Sequence, residues 1–268
     1  MEYLNFDVEI AEGCARISLI GPGSPDMGHL CDEFTDLMLR LQEDGAVRLI
    51  LIVDGDHSFD FHHNLDALAE KLGQDEGYEL LSAEEEISRR VVTIISESLK
   101  PVAAATRGDI RSAGFGFYLA ADIRLATTEA IFTAPDLASG LLPGWGLTKT
   151  LPLLIGTSRT LEFLWSGRSL DATEAHNLGL VDRLIEPERW DEELDNLTAR
   201  VRSLPQPALH LTKLGVQQAT TLDATTMLSF DWEGQQQCWL SRETADGLQA
   251  KSEGRSPRFD VSTAEEED

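Results

Sequence analysis

The chain has 268 residues, 42% of them hydrophobic, and sets 47 acidic side chains against 22 basic ones for a net charge of −25. A surface this acidic repels nucleic acid, and no apolar run approaches the roughly 18 residues of a membrane span, so neither a nucleic-acid nor a membrane partner is expected. The cysteines, Cys14, Cys31 and Cys238, are scattered and odd in number, which argues against a disulfide framework, and the amino terminus lacks the basic-then-apolar order of a secretion signal, so a cytoplasmic protein is expected.

No linker rich in Pro, Gly or Ser divides the chain. One core over residues 1–200 is expected, with a helical C-terminal region over 201–252 and a disordered acidic tail over 253–268. Alternating apolar residues on either side of Glu12-Gly13 predict a β-hairpin. Leu30, Phe34, Leu37, Met38 and Leu41 fall at helical spacing and predict an amphipathic helix that ends by Gly45. VRLILIV, residues 47–53, reads as a strand buried on both faces. Residues 70–90 are strongly charged, carry Gly73 and Gly77, and read as a solvated loop leading into a helix from about Ala83 to Leu99. From Gly146 onward helices are predicted near 146–155, 158–166, 172–178, 188–203, 207–219 and 222–240. Asp171 with Glu174 forms a capping pattern, and Gly179 stands as a C-terminal cap.

The stretch from Lys100 to Leu147 carries the most chemical constraint. A strand, Val102 to Thr106, breaks at Arg107-Gly108, and Ser112-Ala113-Gly114 then opens an apolar helix. Small residues at a helix start let another backbone or a ligand come close. The unpaired N–H groups there, backed by the helix dipole, suit an oxygen that becomes negative during reaction. Further on, a strand around Ile131 to Thr133 ends at Ala134-Pro135-Asp136, which puts a carboxylate on a turn. Asp136 reads there either as a capping residue or as an acid/base group. Gly140-Leu141-Leu142-Pro143-Gly144 then leads into the next helix.

This order of motifs, together with LEFLWSGRSLDATEAHNLGLV at 161–181, resembles the enoyl-CoA hydratase/isomerase (crotonase) superfamily over roughly residues 3 to 259. The resemblance implies an α/β crotonase-like fold, in which ββα units stack as a superhelix and C-terminal helices mediate trimerisation, as a homotrimer or a dimer of trimers. It implies an acyl-CoA substrate, with coenzyme A as part of the substrate and no other cofactor. Carried over by position, the backbone N–H groups of Phe61 and Ala113 would hold the thioester oxygen, and Asp136 would stand at one of two acid/base glutamate positions. Gly116 occupies the other, so double-bond isomerisation is expected over hydration. Arg111, Gly114, Gly116, Leu141 and Trp145 are expected to border the substrate. Trp145 either faces the acyl group or packs under it, and Arg111 either lines the pocket or pairs with Asp109 at the surface. Gly144 stands where dienoyl isomerases and aryl-CoA dehalogenases of the family carry an aspartate, which counts against both activities.

The loop SFDFHHNLDAL departs from the family's small-residue pattern by its Phe61 and His62. Adjacent histidines on an extended chain point to opposite sides, so one of His62 and His63 could replace the missing glutamate. No metal-ligand spacing involves them, and no metal is expected. Two other readings stay open: a coenzyme-A-independent carbon–carbon hydrolase acting on a β-diketone, with histidine chemistry, and a catalytically silent binding subunit.

Overall fold

The computed structural model describes residues 3–20, 27–55, 59 and 69–259. Strands β1 (Phe6–Ala11) and β2 (Cys14–Leu19) pair antiparallel around Glu12 and Gly13, both at positive φ (51° and 77°). Two left-handed residues make the two-residue turn whose twist matches the flanking strands. Helix α1 (Met27–Glu43) follows, then β3 (Leu49–Val53), all five residues of which are buried.

Helix α2 runs Asp75–Ser96 and so begins well before the expected Ala83. Gly77 explains the difference, because a Cβ there would lie 2.3 Å from the Lys71 carbonyl oxygen. That glycine is a contact inside the helix and not a break before it. Asp75 and Glu76 complement the helix dipole in the first turn.

Strand β4 (Val102–Thr106), the short β5 (Ile110–Arg111), helix α3 (Ser112–Leu119), β6 (Ile123–Thr127) and β7 (Ile131–Thr133) follow in close succession. Helices α4 (Leu147–Ile155) and α5 (Thr157–Ser166) lead to β8 (Leu170–Asp171), α6 (Ala172–Leu178), β9 (Arg183–Ile185) and α7 (Trp190–Arg202). The main sheet has strand order β1-β2-β3-β4-β6-β9, and a smaller one has β5-β7-β8. Beyond the hairpin the main sheet is parallel. The expected cap is present: Asp171 accepts a 2.7 Å hydrogen bond from the Glu174 N–H, and Gly179 closes α6 at φ 87°.

Successive side chains of a strand point to opposite faces, and this divides the apolar runs between two cores. Ile50, Ile52, Val102 and Ala104 face Phe34 and Met38 of α1, Val91 and Ile95 of α2, and α3. Leu49, Leu51, Val53, Ala103, Ala105 and Leu125 face Trp190, Leu194, Leu197 and Val201 of α7. The central strands are covered on both sides, as a parallel sheet requires.

The C-terminal region comprises α8 (Gln206–Gln218), α9 (Ala224–Trp239) and α10 (Arg242–Glu253). Two buried cations bind it to the core. Lys213 reaches Asp122 at 2.7 Å and the Lys100 carbonyl at 3.0 Å. Arg48, 2% exposed, binds Glu243 of α10 at 2.9 Å and the carbonyls of Leu204 and Phe259. Phe259, expected within the acidic tail, is therefore buried against the core. Residues 260–268 lie outside the described ones.

Candidate active site

Two loops at the carboxyl ends of β3 and β4 are joined by one carboxylate. Asp54, directly after β3, accepts hydrogen bonds through Oδ2 from the Thr106 hydroxyl (3.0 Å), the Arg107 N–H and the Gly108 N–H (3.1 Å). Burial pushes its carboxyl up from the ordinary value, although these donors and the Arg107 charge pull the other way. Asp54 thus fixes where the loop after β3 departs relative to the segment that enters α3. Its signal in the sequence was a lone acid at the end of a fully apolar strand.

Helix α3 is buried along all of its eight residues. It opens in an unusual way: Ser112, 6% exposed, holds φ 43°, a conformation that costs a residue with a Cβ roughly 1 kcal/mol or more. The kink turns the chain from β5 into the helix one residue before Ala113. A Cβ on Gly114 would lie 1.6 Å from the Phe59 carbonyl oxygen, so the main chain of Phe59 rests directly on the helix start. The Phe59 ring, fully buried, packs on Phe117 at 5.4 Å and Tyr118 at 6.3 Å between centroids, which anchors the loop two residues before Phe61. Phe61, His62 and His63 themselves lie outside the described residues.

The second contact concerns Gly116. A Cβ there would fall 2.3 Å from both the Cβ and the carbonyl oxygen of Trp145 and 2.9 Å from its carbonyl carbon. Main-chain atoms fill the space, so no side chain can occupy it without moving the 144–146 turn. Trp145 is 5% exposed and holds φ 52°. Val92 of α2 lies 3.8 Å from the side-chain direction of Gly146 and braces this turn from the other side. The small residues of α3 therefore admit protein backbone: Gly114 faces Phe59 and Gly116 faces Trp145.

Asp136, 5% exposed, is the first residue of a 3-10 turn (Asp136–Ser139) whose cap position is Pro135. Its carbonyl accepts from the Leu141 N–H at 3.1 Å, and Gly140 closes the turn at φ 75°. Leu141 is half-buried. Strand β7, which leads to Asp136, pairs in parallel with β5, which leads to α3, with Thr133 opposite Arg111. The carboxylate and the helix start thus issue from the same ends of two neighbouring strands. Arg111 is itself exposed and 3.5 Å from Asp109, the surface pair that was one of its two readings. Among the described residues no group of three or more His, Cys, Asp or Glu is placed to hold a metal ion, and no helix is long and apolar enough to cross a membrane.

Helix start, resting loop and carboxylate turn sit on a scaffold of the crotonase type. A chain from Cupriavidus metallidurans CH34 described as an enoyl-CoA hydratase/isomerase superposes with a TM-score of 0.83 over 97% of each chain at 26% identity. An enoyl-CoA hydratase from Bacillus anthracis gives 0.84 over 95% of this chain and 98% of its own, at 23% identity, a likeness of fold alone. Among curated sequences, a crotonyl-CoA hydratase of Syntrophomonas wolfei subsp. wolfei is 28% identical over 235 residues, 85% of this chain and 86% of the relative. The model of the enoyl-CoA hydratase/isomerase family matches residues 27–262. The chain belongs to that family.

Proposed function

We propose that this protein is an enzyme acting on an acyl-CoA thioester through an oxyanion-stabilised enolate, and that it moves a double bond and does not hydrate one. The observation that carries the reading is the contact between Gly116 and Trp145. Hydration needs a group that activates water and a group that protonates the neighbouring carbon. Main chain fills the side-chain space at Gly116, which supports a reading in which Asp136 alone carries the proton transfer.

In the proposed cycle the N–H groups of Phe61 and Ala113 bind the thioester oxygen of a 3-enoyl substrate. Asp136 removes a proton from C2, and the electron pair delocalises into a dienolate whose charge rests on that oxygen. The protonated Asp136 then returns the proton to C4, which leaves the 2-enoyl product and the carboxylate regenerated. Each backbone donor is worth about 2.7–4 kcal/mol of transition-state stabilisation by analogy with measured oxyanion donors. No cofactor is required beyond the coenzyme A that the substrate carries. The proposed assembly is a homotrimer or a dimer of trimers built through the C-terminal helices.

The test pairs a 3-enoyl-CoA with crotonyl-CoA. Isomerisation should be measurable and hydration weaker by ~10²–10⁴-fold than in an enzyme with two acid/base groups. Asp136→Asn should abolish isomerisation while thioester affinity by calorimetry stays nearly intact, because the amide keeps the shape and cannot shuttle a proton. Hydration at an ordinary hydratase rate, or full turnover by Asp136→Asn, refutes the assignment. Turnover of a β-diketone without thioester binding would establish the hydrolase reading in its place.

A further inference from the structure

Trp145 has properties that proton transfer by Asp136 does not use. Its ring is buried, and the indole Nε1 has no hydrogen-bond acceptor among the described residues. An indole N–H is a donor only and normally finds a partner when buried. The residue also holds a left-handed backbone, φ 52°, which is strained for a bulky side chain. Packing alone explains neither feature. A phenylalanine would fill similar volume without a stranded donor, and a glycine would take the backbone without strain.

The surroundings say what the donor is near. Trp145 lies with its Cβ and main chain on Gly116, one turn along α3 from Ala113. It closes the loop that begins at the Asp136 turn. Next to it, the side-chain direction of Gly144 meets no atom within 4 Å, so the protein leaves room on that side. Trp145 meets α3 at Gly116, whereas the Phe59 contact is made at Gly114.

We propose that the Trp145 indole N–H binds an oxygen on the acyl part of the substrate, so that the site selects acyl groups bearing a carbonyl or carboxylate over plain hydrocarbon ones. Its extension to thioesters rests on the reading given under Proposed function. An acyl oxygen gives the N–H the acceptor it lacks among the described residues, and a hydrocarbon chain does not. A site built around a buried donor discriminates against ligands that cannot accept from it.

The experiment measures binding of butyryl-CoA, acetoacetyl-CoA and 1,3-cyclohexanedione to the full-length protein and to Trp145→Phe by calorimetry, with folding checked by circular dichroism. The wild type should prefer acetoacetyl-CoA over butyryl-CoA by roughly tenfold. Trp145→Phe should bring that ratio close to one. The same ratio in both proteins, or no preference in the wild type, overturns the proposal. If the diketone binds and the thioesters do not, the thioester reading fails, and the indole is then judged by whether Trp145→Phe loses diketone affinity. If none of the three ligands binds, both fall. Should Trp145→Phe not fold, the indole proton resonances of the wild type decide: one should shift downfield with acetoacetyl-CoA and not with butyryl-CoA, and no such difference overturns the proposal.

Discussion

A methyl group at Gly116 would sit 2.3 Å from the main-chain oxygen of Trp145, and one at Gly114 would sit 1.6 Å from that of Phe59. In a free helix, replacing glycine by alanine stabilises by about 0.8–1 kcal/mol. Here the obstacle is backbone, which cannot rotate aside, and overpacking of a close-packed interior typically costs about 1–3 kcal/mol. The clash should win at both positions. Gly116→Ala is expected to lower stability in urea unfolding, Gly114→Ala to lower it more, and Gly116→Glu to gain no crotonyl-CoA hydration even where it folds. A Gly116→Ala protein more stable than wild type would show that the 144–146 turn yields easily, and the reason given for a single carboxylate would go with it.

At the scale of elements, the fold was legible where its causes are local. The Glu12-Gly13 turn, the all-apolar β3 and the Asp171–Glu174 cap are each written in neighbouring residues. What was not legible depends on contacts far apart in the chain. Gly77 looked like a helix breaker because its contact with Lys71 cannot be seen in a local pattern, and Asp54 gave no sign of the donors at 106–108. Phe259 looked like tail because its partner, Arg48, lies 211 positions earlier. In the site, Ala113, Asp136 and the missing acid/base group at Gly116 could be read from their motifs, whereas the main chain of Trp145 that fills the space beside Gly116 could not. The docking of α8 supplies a pH prediction. Burial lowers the His210 pKa, and the charges of Lys100, Lys213 and Arg48 lower it further, while the carboxylates nearby are engaged, Asp122 by Lys213 and Glu243 by Arg48. With the folded-state pKa below the unfolded value of about 6.5, His210 is neutral in both states at higher pH and contributes no pH dependence there. As pH falls through about 6.5 the unfolded chain takes up a proton that the folded chain refuses, and stability drops. Between pH 7.5 and 5.5 the wild type should therefore lose more stability in urea unfolding than His210→Gln does. Equal losses would remove His210 from the account.

At the scale of the whole molecule, an apolar surface and a large charge oppose each other. Helix α9 and the residue after it leave Trp232 (65%), Trp239 (68%) and Leu240 (85%) exposed along one face. Exposed aromatic side chains grouped in this way mark an association surface more often than a free one. α9 does not use that face to hold the subunit together: it docks on α8 through Gly234, which faces Leu211, and through Phe230, whose ring lies over Gly215. The proposed trimer would cover the exposed face, yet each copy brings a net charge of −25, and repulsion between like-charged subunits works against assembly. The two terms respond differently to salt. Apolar burial changes little with moderate sodium chloride, whereas repulsion is screened as the Debye length falls from about 30 Å at 0.01 M to about 10 Å at 0.1 M. Light scattering over that range should show the oligomer gaining at the expense of the monomer as salt rises. Trp239→Glu adds charge to the apolar face and should shift the protein toward monomer at every salt concentration. Its far-ultraviolet circular dichroism should match the wild type, because the side chain is mostly exposed within the subunit. An unchanged oligomer in Trp239→Glu would place the subunit contact elsewhere, and dissociation on adding salt would mean that ion pairs, and not this apolar face, hold the copies together.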